Sequence, residues 1–287
     1  MRVDAHQHFW HYNDSDYVWM TGELGRLARH FGPEDLRPLL DAAGIDATIA
    51  VQARQMLEEN DYLLDIADRH DWVLGVVGWV DFESDDVDAQ LDRYAAHPKF
   101  RGVRELIHDM PDDEYATSDA HLAGVARLAP RGLSYDLLLR PQHIGPAMRL
   151  VDRLPDQPFV VDHIAKPRIA AGELHPWAQE IGELARRANV CCKLSGMVTE
   201  ADWDSWGPAD LRPYIDVCLE AFGPDRLMLG SDWPVCTCAG DYERVVSVVI
   251  DYVSNLSPDE QEAILGGTCL RFYGLETPKI PGGAHGS

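Results

Sequence analysis

The sequence predicts a single-domain α/β fold, a (β/α)8 barrel of the TIM type. Three observations lead to this prediction. Eight short runs rich in apolar and β-branched residues alternate with amphipathic helical stretches along the chain. Several of these runs are apolar without interruption, as expected for parallel strands buried on both faces. The length of 287 residues fits one such barrel, which typically has about 250 residues.

The predicted strands follow one another at spacings that leave room for a helix or a long loop. They are Arg2–His6, Ala47–Gln52, Val73–Val80, Phe100–Ile107, Leu133–Leu139, Phe159–His163, Val190–Ser195 and Leu227–Ser231. No repeat or Pro/Ser-rich linker divides the chain, so residues 1–275 are assigned to the barrel and residues 276–287 to a flexible tail. A doubly wound open sheet is the alternative. No G-x-G-x-x-G pattern follows the first strand, which weakens its dinucleotide-binding version.

The helices are indicated by their periodicity and by their ends. Apolar residues share one helical face in two stretches, the first with Val87, Leu91, Tyr94 and Ala95, the second with Val245, Val248, Val249 and Tyr252. Ser257-Pro258-Asp259-Glu260 combines an N-cap, a proline at the first helical position and a capping-box glutamate. Gly32-Pro33 is expected to open an earlier helix and Gly44 to close it.

Composition argues against several classes of partner. The formal charge of −23 opposes binding to nucleic acid or to an anionic membrane, because phosphate recognition requires the opposite sign. No apolar run reaches the length of a membrane span, and the first residues carry Asp4, His6 and His8 where a signal peptide needs an apolar region. We therefore expect a cytoplasmic protein with a small-molecule partner. Whether it forms a homo-oligomer is left open.

Polar side chains follow three of the predicted strands, at the edge where a barrel carries its chemistry. His6 and His8 lie at the end of the first strand, and the period of two puts them on the same side. His163 ends the sixth strand and Asp232 follows the eighth. Each alone has an ordinary explanation: polar residues at a strand end, a buried core histidine, or a helix N-cap. Together they predict an active site, because the carboxyl ends of barrel strands meet in one mouth.

Other candidates surround this group. Lys193 stands inside the apolar seventh strand, where a charge is costly unless it is paired or used. Arg104 on the fourth strand has a planar fork that suits carboxylates or sugar oxygens. Gln52 and Trp79 end the second and third strands and are expected to shape a pocket, although a structural role explains them about as well. Trp19 and Trp233 could stack on a sugar ring or pack within loops.

The motifs resemble a known family. Three runs carry most of the resemblance: Asp4-Ala5-His6-Gln7-His8-Phe9-Trp10, Asp162-His163-Ile164-Ala165-Lys166-Pro167 and Gly230-Ser231-Asp232-Trp233-Pro234. Phe100-Arg101-Gly102-Val103-Arg104 and Cys192-Lys193-Leu194-Ser195-Gly196 add to it. From the first residue to about Gly274 the chain resembles the amidohydrolase superfamily. Within that superfamily it is similar to the amidohydrolase-2 sugar lactonase group, which includes L-fuconolactonase and L-rhamnonolactonase.

The resemblance implies a hydrolase that opens a cyclic carboxylic ester. Its substrate would be L-fucono-1,4- or 1,5-lactone or a related aldonolactone. One divalent cation, with zinc favoured and not strictly required, would be held by His6, His8 and Asp232. Two departures from the superfamily pattern bear on that ion. The fourth strand has no lysine for a carbamylated bridge, so a binuclear centre is not expected, and the fifth strand has no terminal histidine, although His143 lies in the following loop.

These expectations combine into a mechanistic hypothesis. Asp232 would take the proton from water, and His163 would polarise the lactone carbonyl, with Lys193 or Arg104 supplying positive charge. A neutral sugar lactone is preferred over a dicarboxylate lactone, which would need more arginines than Arg101, Arg104 and Arg140 provide. Two alternatives stay open: a metal-dependent decarboxylase or amide hydrolase of the same superfamily, and a non-enzymatic sugar-binding protein.

Overall fold

Eight parallel strands form the barrel in the order in which they occur along the chain. The computed structural model of the protein describes residues 1–276. The strands are β1 (Val3–Gln7), β2 (Ala47–Val51), β3 (Val73–Gly78), β4 (Phe100–Glu105), β5 (Ser134–Leu137), β6 (Phe159–Val161), β7 (Val190–Leu194) and β8 (Leu227–Leu229). Each strand pairs in parallel with its predecessor, and the sheet order is β1 to β8. The predicted (β/α)8 barrel and its single-domain organisation are confirmed.

Helices connect the strands and cover the barrel. They are α1 (Pro33–Ala43), α2 (Leu57–Arg69), α3 (Val87–Ala95), α4 (Asp119–Val125), α5 (Ile144–Arg153), α6 (Trp177–Leu184), α7 (Pro208–Phe222), α8 (Tyr242–Val253), α9 (Pro258–Glu262) and α10 (Thr268–Phe272). The predicted helix ends are confirmed. Gly32 precedes α1, and Gly44 ends it at a φ of 66°, a left-handed conformation that glycine adopts without a Cβ clash. Ser257 and Glu260 form the capping box of α9.

Seven of the eight strands end one or two residues earlier than the sequence predicts, and the ends of β6 and β8 lie at the candidate site. β6 stops at Val161 and β8 at Leu229. His163 has a φ of 54° and Asp232 a φ of 59°, so neither residue continues the extended backbone. Left-handed conformations are unfavourable for residues with a Cβ, and a protein keeps them only where the surroundings enforce them. The chain therefore leaves the barrel abruptly at the two positions that carry predicted catalytic side chains.

The barrel closes between β1 and the segment that follows β8. The Asp232 amide donates to the His6 carbonyl at 2.8 Å, and the His8 amide donates to the Trp233 carbonyl at 2.7 Å. The buried Asp4 carboxylate accepts hydrogen bonds from the Ser231 amide at 2.9 Å and from its hydroxyl at 2.6 Å. Closure of the barrel thus places the H-x-H pair directly beside Asp232.

The predicted tail at 276–287 lies, apart from Glu276, outside the described residues. Within the described part of the chain the longest helix is α7, with 15 residues. No helix there is both long enough and apolar enough to cross a bilayer.

Candidate active site

A cavity of about 420 Å³ opens at the carboxyl ends of the strands. Its floor contains His8, His163 and Asp232, and Arg104 also reaches it. The walls come from the loops that follow the strands, with residues of both polar and apolar character. They include Trp10, Trp19, Leu24, Ala53, Leu106, His108, Asp109, Leu138, Arg140, Lys166, Thr199, Glu200, Trp203 and Val235. The structure therefore joins the ends of strands one, four, six and eight in one site.

The side chains of three histidines converge on Asp232. Its Oδ1 atom lies 3.3 Å from His8 Nε2, 3.9 Å from His6 Nε2 and 3.7 Å from His163 Nε2. The two Nε2 atoms of His6 and His8 are 3.3 Å apart. All four side chains are buried or nearly so. The predicted partnership of the H-x-H pair with His163 and Asp232 is therefore present as a compact cluster.

The orientation of both H-x-H rings is fixed by their other nitrogens. His8 Nδ1 lies 2.8 Å from the Val51 carbonyl, which can only accept, so Nδ1 carries the proton and Nε2 offers a lone pair. His6 Nδ1 lies 3.2 Å from Asp162 Oδ1 and 3.2 Å from Lys193 Nζ. Either partner turns His6 Nε2 toward His8 and Asp232. Burial lowers the pKa of His6 well below its usual value, so the ring is neutral at pH 7.

This donor set fits a tetrahedral divalent ion. In a zinc site with bonds of about 2.0–2.1 Å, two ligand atoms lie roughly 3.3 Å apart. The separations of His8 Nε2 from His6 Nε2 and from Asp232 Oδ1 are both 3.3 Å. A hydrogen bond from the second ring nitrogen is the usual support of a metal-bound histidine. His6, Asp162 and His163 form a second group within ligand range, but Arg104 and Lys193 already pair with Asp162.

Four consecutive residues after β6 have left-handed backbones. The φ angles of His163, Ile164, Ala165 and Lys166 are 54°, 49°, 59° and 49°. The β-branched Ile164 is especially unfavourable in this region, so the run stores strain at the site. His163 Nδ1 lies 2.9 Å from the Ser195 hydroxyl, which orients the ring so that Nε2 faces Asp232. We define residues 163–166 as the left-handed turn.

Electrostatics keep Asp232 ionised and His163 neutral. Burial opposes the charge of Asp232, but the His163 and His8 rings outweigh it and lower the pKa of this carboxyl. Burial lowers the pKa of His163 well below its usual value. At neutral pH the site therefore holds a carboxylate that can accept a proton beside an imidazole that can donate a hydrogen bond.

Lys193 lies beneath the site, outside the cavity lining. Its Nζ contacts Asp136 Oδ2 at 2.5 Å and Asp162 Oδ1 at 2.9 Å, and the side chain is 0% exposed. Tyr273 also donates to Asp136, at 2.8 Å. Burial opposes the ammonium, but the two carboxylates outweigh it and raise the pKa of Lys193. Lys193, Asp136 and Asp162, which we call the floor cluster, support His6 from the side opposite Asp232.

Arg104 on β4 and Gln52 at the end of β2 contact each other across the intervening strand β3. The Arg104 guanidinium donates to the Gln52 carbonyl and, at 3.1 Å, to Asp162 Oδ2. Gln52 Nε2 returns a hydrogen bond to the Arg104 carbonyl at 3.1 Å. Arg104 reaches the cavity, whereas Gln52 is buried and is not among the described residues that line it.

The three candidate tryptophans take different places. Trp19 lines the cavity and is 38% exposed. Trp79 donates from Nε1 to Glu105 at 2.9 Å, and Trp233 packs edge-on against Phe31 with ring centroids 5.3 Å apart. Neither Trp79 nor Trp233 is among the described residues that line the cavity. The loop residue His143 pairs with Asp113 at 3.0 Å and does not reach the central cluster.

Several residues of the site were not assigned a role from the sequence. Asp162 precedes His163 in the motif, but nothing local indicates that it faces His6 and Lys193. Asp136 was detectable in principle, because a carboxylate in the apolar fifth strand is the natural partner of a lysine in the seventh. Ser195 and Lys166 stand in the motifs as well, but their contacts depend on the left-handed turn.

Fold and site together are those of a (β/α)8 hydrolase. A family model described as Amidohydrolase matches residues 3–275, so the chain belongs to the amidohydrolase family. The resemblance expected from the motifs is thereby confirmed.

Three relatives illustrate the match. The chain is 38% identical to an L-fucono-1,5-lactonase of Burkholderia ambifaria, over 96% of this chain and 97% of that protein. It is 39% identical to an L-fucono-1,5-lactonase of Burkholderia multivorans, over 97% of each. A solved amidohydrolase structure from Burkholderia multivorans with bound zinc superimposes with a TM-score of 0.92, at 38% identity, covering 96% of this chain and 100% of that one.

Proposed function

We propose that this protein hydrolyses a sugar-derived lactone of the L-fucono-1,5-lactone type to the open aldonic acid. The observation that carries the proposal is the near full-length match to L-fucono-1,5-lactonases in a chain whose His6, His8, His163 and Asp232 converge at a cavity floor. Sugar lactone hydrolysis, expected from the motifs, agrees with these relatives. The exact lactone is part of the proposal.

Asp232 is the group that activates water. Its ionised carboxylate lies at the floor of the cavity and faces the three histidines at 3.3–3.9 Å. A water beside Oδ1 would lose a proton to Asp232 as its oxygen attacks the lactone carbonyl carbon. The same proton then passes to the ring oxygen when the carbon–ring oxygen bond breaks. The sum of these steps is lactone plus water giving hydroxy acid.

His163 polarises the carbonyl. When the Ser195 hydroxyl donates to Nδ1, the neutral ring carries its proton on Nε2, which faces the cavity. A hydrogen bond from Nε2 to the carbonyl oxygen strengthens as negative charge develops there, which stabilises the transition state.

A single zinc ion is the proposed cofactor, with His6, His8 and Asp232 as its ligands. When bound, such an ion supplies Lewis-acid polarisation and lowers the pKa of a coordinated water. The supports for this assignment are the 3.3 Å spacing of the donor atoms and the fixed orientation of both rings.

One side of the cavity suits the apolar end of a deoxy sugar. Leu24, Trp203 and Val235, which we call the apolar wall, line it together. Arg26 donates to the Cys238 carbonyl at 3.0 Å and ties the Leu24 segment to the Val235 segment. L-fucono- and L-rhamnono-lactone carry a methyl group where L-galactono-lactone carries a hydroxymethyl group. We infer that the apolar wall receives this methyl group and that Trp19 covers the sugar ring.

A panel of lactones tests the proposal. Acid release is measured with a pH indicator on L-fucono-1,5-lactone and on the L-galactono-, L-rhamnono- and D-arabinono-lactones. We expect L-fucono-1,5-lactone to be preferred over its hydroxymethyl analogue by about 10- to 100-fold in kcat/KM, because an apolar wall discriminates weakly against one added hydroxyl. Asp232→Asn should lower kcat/KM by about 10³-fold or more, since it removes the base.

The matched control is Asp241→Asn. Asp241 is an exposed helix N-cap after the same strand, and asparagine caps equally well. This variant should keep the wild-type rate. The proposal is wrong if the wild-type protein opens none of the lactones, or if Asp232→Asn retains full activity.

A further inference from the structure

The cavity contains a cation that the proposed mechanism has not used. Lys166 lines it, and its side chain is 14% exposed. Lys193, the lysine singled out from the sequence, is 0% exposed and neutralised by two carboxylates. Arg104 reaches the cavity, but its guanidinium is bound to Asp162 and to the Gln52 carbonyl. A cation able to contact a substrate oxygen must therefore be sought among the loop residues.

The left-handed turn places Lys166 next to the catalytic histidine. The Lys166 amide donates to the His163 carbonyl at 2.8 Å, which closes the turn. Because residues 163–166 all have positive φ angles, the chain curls back and both side chains line the same cavity. Backbone strain of this kind persists where the surroundings enforce it, and it concentrates at functional sites.

Among the described residues Lys166 has one acidic partner, and that partner also lines the cavity. Its Nζ lies 2.8 Å from Glu200 Oε1, and the Glu200 side chain is 21% exposed. Both side chains border the cavity, so a negative substrate oxygen that enters the cavity can take the place of Glu200 at the ammonium.

We propose that Lys166 binds the negative charge that develops on the lactone carbonyl oxygen and then the carboxylate of the released aldonate. Glu200 holds the ammonium between turnovers. Attack of water, with transfer of one water proton to Asp232, converts the carbonyl oxygen to an oxyanion. Breakage of the carbon–ring oxygen bond leaves the former carbonyl and water oxygens in a carboxylic acid, which releases its remaining proton to solvent and becomes a carboxylate. The ring oxygen leaves as a hydroxyl with the proton that Asp232 accepted. This inference rests on the proposed lactonase function and adds its charge-recognising residue.

Two measurements on Lys166→Met test the proposal. The first is kcat/KM for L-fucono-1,5-lactone, which should fall by about 10²-fold, the loss typical of one oxyanion-stabilising group. The second is binding of L-fuconate, measured by calorimetry without turnover, which should weaken at least 10-fold. Binding of 1,5-anhydro-L-fucitol, a neutral ring without a carbonyl, should stay within about twofold. Lys166→Arg keeps the charge and should retain more activity than Lys166→Met.

The opposite change is made with Glu200→Gln. It removes the competing carboxylate and should tighten L-fuconate binding a few-fold. The proposal is overturned if Lys166→Met keeps the wild-type kcat/KM. It is equally overturned if the variant weakens the binding of L-fuconate and of 1,5-anhydro-L-fucitol by the same factor, as loss of a purely structural lysine would. It is also overturned if Glu200→Gln weakens L-fuconate binding. Failure of the wild-type protein to open any lactone would instead refute the proposed function, independently of these variants.

Discussion

Two lysines of this protein lie on either side of the cluster formed by His6, His8, His163 and Asp232, and they differ in what surrounds them. Lys193 in the floor cluster is fully buried between Asp136 and Asp162. Lys166 on the cavity wall is partly solvated and has Glu200 as its acidic partner. A buried charge must be compensated permanently, whereas a charge at a cavity can exchange its partner for a substrate atom. The first lysine therefore holds the site in place, and the second can contact a molecule that enters the cavity.

The largest expected effect comes from breaking the floor cluster. Lys193→Met leaves Asp136 buried without its cation and Asp162 with Arg104 alone, so we expect the free energy of unfolding to fall by about 3–5 kcal/mol. Zinc affinity should also fall, because Asp162 and Lys193 support His6. Urea denaturation and zinc titration are the measurements. The same substitution at the other lysine, Lys166→Met, should lower the free energy of unfolding by less, because Glu200 is 21% exposed and stays partly hydrated without its cation.

A partial rescue sharpens this expectation. In the double variant Lys193→Met with Asp136→Asn one cation and one anion are removed, and Asp162 keeps Arg104 at 3.1 Å. The double variant should be more stable than Lys193→Met alone. Equal stability of the two variants would show that Asp136 and Lys193 do not act as a pair.

A smaller expected effect is a loss of stability at acid pH, and it comes from a histidine rather than from either lysine. His121 lies away from the site, with Nε2 3.1 Å from the Tyr135 hydroxyl, and burial lowers its pKa from 6.5 to about 4. Between these values the unfolded chain binds a proton that the folded protein does not. Stability is therefore lost as the pH falls from 6.5 to 4, by at most about 3 kcal/mol.

His121→Phe should remove this loss. The variant is expected to be less stable at pH 7.5, where it leaves the Tyr135 hydroxyl without its partner, but its deficit should narrow toward pH 4. Urea denaturation across this pH range is the measurement, and His175→Gln, at an exposed histidine, is the control. A deficit that stays constant with pH would exclude His121 as the source of the acid sensitivity.

The smallest expected effect tests how the His163 ring is held in the orientation that faces the cavity. Ser195→Ala removes the hydroxyl that lies 2.9 Å from His163 Nδ1. We expect kcat/KM to fall about 10-fold and the free energy of unfolding by about 1 kcal/mol, the contribution of one hydrogen bond. The matched control is Ser231→Ala, which acts on the Asp4 contact between β1 and the segment after β8. Ser231→Ala should lower the free energy of unfolding, but it should lower kcat/KM less than Ser195→Ala does. A larger loss of kcat/KM in Ser231→Ala would contradict the role given to Ser195.

Much of the fold was predictable from local signals. Apolar runs located all eight strands within a few residues, and caps located the helix ends, because strand burial and helix capping depend on residues close in sequence. The central site was predictable for a similar reason. Parallel strands put their carboxyl ends on one edge, so His6, His8, His163 and Asp232 had to approach one another once the barrel was inferred.

The sequence alone determined the barrel, its family and the convergence of His6, His8 and His163 on Asp232. The tertiary structure decided which lysine faces the cavity, since it placed Lys193 between two carboxylates from β5 and the end of β6, and turned Lys166 back toward His163. It also separated Arg104 and Trp19, which reach the cavity, from Gln52, Trp79 and Trp233. The physical reason is that burial and ion pairing depend on neighbours distant in the chain, and that a run of positive φ angles redirects side chains in a way no sequence period indicates.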